Sequence, residues 1–390
     1  MKVSRIETFL VNPVSHHAGM IGAKNWLYAR VESDEGIVGW GEAYTQLDRD
    51  RNIECMIHDL GRYLVGRDVE TIKHFTHMVY DDFAGRRGSM DLFCALSALE
   101  MALWDILGKK LGVPVYTLLG GACRDRIRVY ANGWYGGAKT PEQYAEMAVA
   151  TVARGFTALK FDPFPGPWRQ YVDKKVEQAA VANVRAVREA VGPNVDLLIE
   201  GHRRLSPMNA IRVGRQFAEY APYWYEEPVP VDNVAALAEV RAALDIPIVT
   251  GETLYTKAGF RDVFEQRAAD IVNPDVCSCG ILELKEIGAM AEAYYVAASP
   301  HNYNSTAVGL AATLQVSACM PNFIITEYFE NFAATSSEIV AEPFRVEGGY
   351  IALPTAPGLG VEILEGELRK HPYQQDPPRG LATYQQEVRA

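Results

Sequence analysis

The chain has 390 residues, 48% of them hydrophobic, with 32 Gly and 21 Pro scattered along its length. That composition can bury a large core and argues against a linker-rich or disordered protein. A net charge of −11 argues against nucleic acid and anionic membrane as partners, but leaves room for an anionic small molecule beside a bound metal.

The first stretch, Lys2 to Val11, alternates polar and apolar residues like a strand and lacks the apolar centre of a signal peptide. No run is apolar enough to span a bilayer. Only Cys277 and Cys279 of the six cysteines lie close together, so the expectation is a cytoplasmic protein with reduced thiols. Cys277-Ser278-Cys279 has no further soft ligands at tight spacing and reads as packing. Asn12 to Trp26, with His16 and His17, and then Tyr44 to Arg51 read as loops that set specificity. Between them come strands at Trp26 to Val31 and Gly36 to Ala43, joined by the hairpin turn Ser33-Asp34-Glu35-Gly36. Leu92 to Gly112 is helical, with Leu96, Leu99, Ala102, Leu103 and Ile106 on one face and Gly112 and Pro114 as its stop. Residues 1–125 thus form an α+β unit.

Beyond it, short apolar strands alternate with amphipathic helices, the pattern of βα units on a parallel sheet. The strands are Ile127–Asn132, Thr157–Phe161, Val195–Glu200, Tyr223–Glu226, Ile248–Glu252, Asp270–Asp275, Val296–His301 and Phe323–Glu327. Eight is the number that closes a barrel. One helix opens with a capping box at Thr140-Pro141-Glu142-Gln143, and another runs from Asp173 to Val191. The fold class is α/β, with the barrel in residues 126–350. The repeat then ends, and residues 351–390, through the turn at Pro357 to Glu362, are expected to return to the N-terminal unit.

Polar residues close these strands at regular intervals. Glu200, Glu226, Glu252, Asp275, His301 and Glu327 recur every 26 residues, once every 23. A βα unit of that length returns the chain to the same level one strand further round, so the six should ring the mouth where barrel active sites are built. Lys160 and Asp162 join them from an earlier strand. A lone strand-end Glu is usually a helix cap or surface charge. Three in register crowd negative charge at one rim, and Glu200, Glu226 and Glu252 suit a hard cation such as Mg²⁺. Asp275 beside His301 would fix the imidazole tautomer and raise basicity at the other nitrogen, making a general base. A lone His301 would read as a buried structural histidine. His202, two residues past Glu200, could donate a proton to a leaving hydroxyl or be a surface loop residue. Lys160 is charged, so its role is electrostatic, facing a substrate carboxylate as charge develops, or it is a snorkelling strand-edge lysine.

These residues resemble a known set. Glu200, Glu226 within Trp224-Tyr225-Glu226-Glu227-Pro228, and Glu252 after Gly251 resemble the metal ligands of the enolase superfamily, mandelate racemase subgroup. Asn273-Pro274-Asp275 and Pro300-His301 resemble its Asp–His dyad, and Glu327 its last-strand carboxylate. Met101-Ala102-Leu103-Trp104-Asp105-Ile106 and Gly358 to Val361 add to the likeness, which covers nearly the whole chain. It implies an α+β cap over a modified (β/α)₇β barrel, a bound Mg²⁺ and a base that generates an ene-diolate. In that subgroup racemases usually carry Lys-x-Lys on the second strand. Here it reads Lys160-Phe161-Asp162-Pro163-Phe164, which, with Tyr130 to Tyr135, is similar to gluconate and related aldonate dehydratases.

The resemblance therefore implies a sugar-acid dehydratase. His301 takes the C2 proton, Mg²⁺ and Lys160 hold the carboxylate, and His202 protonates the departing C3 hydroxyl to give a 2-keto-3-deoxy acid. A homo-oligomer is expected on the same ground. Epimerisation or lactone cycloisomerisation by the same site remains the alternative, with non-catalytic metal or sugar-acid binding behind it. A metal-dependent hydrolase is weaker still, since no His-x-His closes a strand. Two departures stand out. Arg203 occupies a position where Gly is usual, and a single Gly280 follows Asp275 where relatives often have two consecutive glycines, which predicts a shorter loop there.

Overall fold

The computed structural model describes all residues except 14–24, 85–87, 167–170, 304, 306, 379–380, 382 and 388–390. His16 and His17, singled out above, lie outside the described residues. Three antiparallel strands open the chain: β1 (Val3–Val11), β2 (Trp26–Ser33) and β3 (Val38–Ala43). The turn after β2 closes through Gly36 N–H to the Ser33 carbonyl at 3.0 Å, with Gly36 at φ +80°. The long helix Met90–Leu111 lies on this sheet. It starts two residues before the periodicity suggests because Ser89 caps it, accepting from Leu92 N–H. Gly39 and Gly41 of β3 allow the approach: a Cβ at Gly41 would sit 1.8 Å from the Ala98 carbonyl oxygen.

Eight parallel strands follow: β4 (Arg126–Asn132), β5 (Ala158–Phe161), β6 (Asp196–Glu200), β7 (Trp224–Glu226), β8 (Ile248–Thr250), β9 (Ile271–Val272), β10 (Ala297–Ala298) and β11 (Thr326–Phe329). They pair in chain order from β4 to β10, and β11 pairs with β4. The remaining gap is bridged by Ala298 and Phe323, with Ile324 N–H donating to the Ala298 carbonyl at 3.0 Å. A further strand, β12 (Tyr350–Ala352), pairs antiparallel with the start of β4, residues Arg126 to Arg128.

β9 and β10 are shorter than the sequence pattern suggests. Each stops just before a proline pair-breaker, Pro274 and Pro300, which has no N–H for the ladder. Pairing resumes one residue later as a bridge between Asp275 and His301. The capping box at Thr140 and Gln143 forms, and Asp173 caps the helix Lys174–Val191.

The barrel interior is layered by strand alternation. Tyr130, Ala158, Leu198, Trp224 and Ile325 form an apolar plug with Val249 and Ile271. Two residues further along the same strands come Asn132, Lys160, Glu200, Glu226 and Glu327, all buried. The polar ring therefore sits directly on a dry floor.

Carboxylates of the first 125 residues close the open helix ends of the barrel. Glu100 accepts from Ile281 N–H at 2.8 Å and Leu282 N–H at 3.0 Å, and Glu42 accepts from Gly309 N–H at 2.8 Å. Each places negative charge at the positive end of a helix dipole. Asp105 accepts from Leu359 N–H at 2.8 Å, and Asn12 N–H donates to the His371 carbonyl at 3.0 Å, so the C-terminal segment lies against the N-terminal sheet.

Helix formation begins at Val276, directly after Asp275, and breaks at Gly280 (φ 79°, ψ 167°) so that a second helix starts under Glu100. A Cβ at Gly280 would meet the Glu100 carboxylate at 2.9 Å. Gly280→Ala should thus cost about 2 kcal/mol from the left-handed backbone and the contact together. The check is a urea titration: a lower midpoint at unchanged slope is expected. Among the described residues, no helix is long and apolar enough to cross a membrane.

Candidate active site

β6 and β7 end on Glu200 and Glu226, paired side by side in the ladder. Glu252 follows β8 after Gly251, whose φ of 140° turns the chain so that the glutamate faces back into the mouth. One oxygen from each of the three lies within 4.8 Å of the others, and all three are buried. Two unit charges about 4 Å apart repel by roughly 4 kcal/mol at an effective dielectric of about 20. Burial, before the repulsion, is what raises the Glu200 carboxyl to about 7 and drives Glu226 well above the usual range. Glu200 Oε2 is buried and accepts no hydrogen bond, its cation neighbour Lys160 being 3.5 Å away. An orphaned carboxylate oxygen among three hard oxygen donors fits a dication, which would offset both costs. The three glutamates form a cluster that could hold a metal ion.

Lys160 lies at the centre of the ring. Its Nζ is 2.7 Å from Glu226 Oε1 and 3.1 Å from Glu327 Oε1. Burial opposes its charge, but Glu226 and Glu327 outweigh that and hold its pKa well above the ordinary value. These carboxylates favour the ammonium form of Lys160.

His301 and Asp275 are joined, Nδ1 to Oδ2, at 2.8 Å. Asp275 is itself held by Cys277 N–H at 2.7 Å and Tyr303 N–H at 3.3 Å. The Nε2 edge of the ring faces Glu252 Oε2 at 3.1 Å and Glu327 Oε2 at 3.4 Å. Burial opposes protonation of His301, and the Glu327 and Glu252 charges overcome it, so its pKa is raised. Glu327 is held by Asn132 Nδ2 at 2.7 Å and Asn302 N–H at 2.9 Å.

His202 and Asp162 also form a pair, Nδ1 to Oδ2, at 2.8 Å. Asp162 accepts in addition from the buried Arg204 and, through Oδ1, from Phe164 N–H at 2.9 Å. The carboxylate on the second strand is thus committed to His202 and Arg204. The strand-end residues named from the sequence, Lys160, Asp162, Glu200, His202, Glu226, Glu252, Asp275, His301 and Glu327, all reach this mouth.

Several partners escaped the sequence reading. Trp224 Nε1 donates to Glu226 Oε2 at 3.0 Å, and Asn273 Nδ2 to Glu226 Oε1 at 2.8 Å. Arg203 pairs with Glu252 and approaches Glu227. Tyr44, from the segment after β3, packs its ring 6.3 Å from that of His301. The period-2 position of Trp224 before Glu226 was the one available signal; the other contacts join loops remote in sequence.

Comparison with known proteins agrees with this fold. The family model described as mandelate racemase / muconate lactonizing enzyme, N-terminal domain, matches residues 2–120, and that described as enolase C-terminal domain-like matches residues 143–367. D-galactonate dehydratase of Ralstonia pickettii is 36% identical over 373 residues, 94% of this chain and 93% of its own. D-gluconate dehydratase of Thermoproteus tenax is 35% identical over 349 residues, 88% of this chain and 69% of its own. The crystal structure of a mandelate racemase/muconate lactonizing enzyme from a Jannaschia species matches with a TM-score of 0.89 at 34% identity, covering 97% of this chain and 99% of that one. The chain belongs to the mandelate racemase subgroup of the enolase superfamily. It is an enzyme, and its dehydratase relatives place it with the hydro-lyases.

Proposed function

We propose that the protein is a Mg²⁺-dependent dehydratase of a sugar acid, an aldonate or aldarate of the gluconate or galactonate kind. The observation that carries this reading is the pairing of two histidines with two aspartates at one mouth, His301 on Asp275 and His202 on Asp162, each at 2.8 Å. Elimination needs a base at C2 and an acid at the C3 hydroxyl. In each pair the aspartate engages Nδ1, so Nε2 is the nitrogen that would exchange a proton with substrate.

In this reading Glu200, Glu226 and Glu252 hold Mg²⁺, which supplies charge stabilisation at the substrate carboxylate when bound. His301 removes the C2 proton through Nε2. Lys160, fixed among its carboxylates, stabilises the negative charge that grows as the proton leaves, and Glu327 hydrogen-bonds the ene-diolate. His202 donates to the departing hydroxyl, and Asp162 positions it. The product tautomerises to a 2-keto-3-deoxy acid. Residues 1–125 act as the cap and 126–350 as the catalytic barrel, and in the described C-terminal segment Leu359, His371 and Gln374 bind back to the cap. The enzyme works in the cytoplasm as a homo-oligomer on a small-molecule substrate.

The commitment of Asp162 to Arg204 and His202 favours dehydration over epimerisation, since the second face then lacks a free base. The test is a screen of aldonic and aldaric acids with Mg²⁺, read with semicarbazide for 2-keto-3-deoxy product. A hit abolished by EDTA supports the proposal, and silence across the panel opposes it. A variant separates the two histidines. His202→Asn should lower kcat for elimination by about 10²-fold while the C2 proton still exchanges with solvent. NMR in D₂O reads both; joint loss of exchange and elimination would contradict the assignment.

A further inference from the structure

We propose that Arg203 restricts Glu252 to a single ligating oxygen and thereby selects Mg²⁺ over Ca²⁺; this rests on the metal reading of the three glutamates. The segment Gly201 to Leu205 is laced to the end of β7. Gly201 N–H donates to the Glu226 carbonyl at 2.8 Å, Arg203 N–H to the Glu227 carbonyl at 2.7 Å, and Leu205 N–H to the Pro228 carbonyl at 3.2 Å. His202 and Arg203 are consecutive left-handed residues, at φ 48° and 58°. Such a conformation favours glycine, and a large residue kept there needs a compensating contact.

That contact is the guanidinium on Glu252. Arg203 Nη1 pairs with Glu252 Oε1 and lies 3.5 Å from Glu227 Oε2. Glu227 is immobilised in turn, its Oε1 accepting from Thr250 Oγ1 and from Gly251 N–H at 2.9 Å. Arg203 thus sits between one anchored carboxylate and one carboxylate of the metal cluster. The guanidinium holds Oε1 of Glu252 and His301 Nε2 faces Oε2 at 3.1 Å, so only Oε2 could turn to a metal ion without breaking the Arg203 pair.

A carboxylate with one oxygen engaged offers a dication only the other. Mg²⁺ works with near-octahedral, one-oxygen ligation, whereas Ca²⁺ gathers more oxygens at longer distance and often takes a carboxylate through both. Arg203 therefore disfavours the larger ion by geometry. Its charge alone would weaken both ions alike.

The experiment is calorimetric titration of the full chain and of Arg203→Gly with MgCl₂ and with CaCl₂, without substrate. Glycine suits the backbone at 203, and a retained thermal transition confirms that the variant folds. The expected result is that the preference for Mg²⁺ over Ca²⁺ falls about tenfold or more in Arg203→Gly. Equal changes in both affinities, or no change, would overturn the inference while leaving the metal site intact. Failure of the parent chain to bind either ion would instead overturn the metal reading and this inference with it.

Discussion

His301→Asn should lower kcat on a sugar acid by about 10³-fold, with KM changed little. Asparagine keeps a polar group facing Asp275 but has no nitrogen that can accept the C2 proton. The side chain sits among the carboxylates of Asp275, Glu252 and Glu327, with the rings of Tyr303 and Tyr44 within 6.3 Å of its own. Loss of activity should therefore come without loss of fold. Steady-state kinetics beside a thermal melt separates the two. A variant that keeps a tenth of parent turnover would remove His301 from the role of base.

Glu226→Gln should abolish turnover and weaken Mg²⁺ binding by at least about 100-fold. Glu226 is the middle one of the three clustered glutamates, and its oxygens already accept from Lys160 Nζ, Asn273 Nδ2 and Trp224 Nε1. A glutamine presents one acceptor and one donor to those three donors, so at least one contact becomes donor against donor. Two charges of the site are affected together: a dication loses one of three carboxylates, and Lys160 loses its nearest one. Calorimetry with Mg²⁺ measures the first directly. Unchanged Mg²⁺ affinity in Glu226→Gln would place the metal elsewhere.

Much of this arrangement is legible in sequence for a physical reason. A (β/α) barrel repeats one supersecondary unit, so the 26-residue interval between Glu200, Glu226 and Glu252 reports equal height on adjacent strands. Period-2 alternation then fixes direction, with Lys160 two residues beyond Ala158 of the apolar floor. The strand lengths around Asp275 and His301 were less legible, because Pro274 and Pro300 remove ladder donors without changing the apolar pattern. Side-chain partnerships were least legible. Arg203 was noted as a departure, but its landing on Glu252 depends on two left-handed residues and on hydrogen bonds to the end of β7. Glu100 read as part of an amphipathic helix, and nothing local says that it meets the N-terminus of a helix 181 residues away. Gly280 gains its meaning only from that meeting.

In the proposed mechanism the two histidine–aspartate pairs distinguish elimination from simple exchange at C2, so the fate of C2 and C3 is the central question. The direct measurement is proton NMR of D-gluconate and D-galactonate incubated in D₂O with the protein and Mg²⁺. The account predicts conversion of one of them to a 2-keto-3-deoxy acid, deuterium entering at C3, and no product after EDTA. Deuterium at C2 of recovered sugar acid or of its epimer, with every hydroxyl retained, would contradict it and make the enzyme an epimerase.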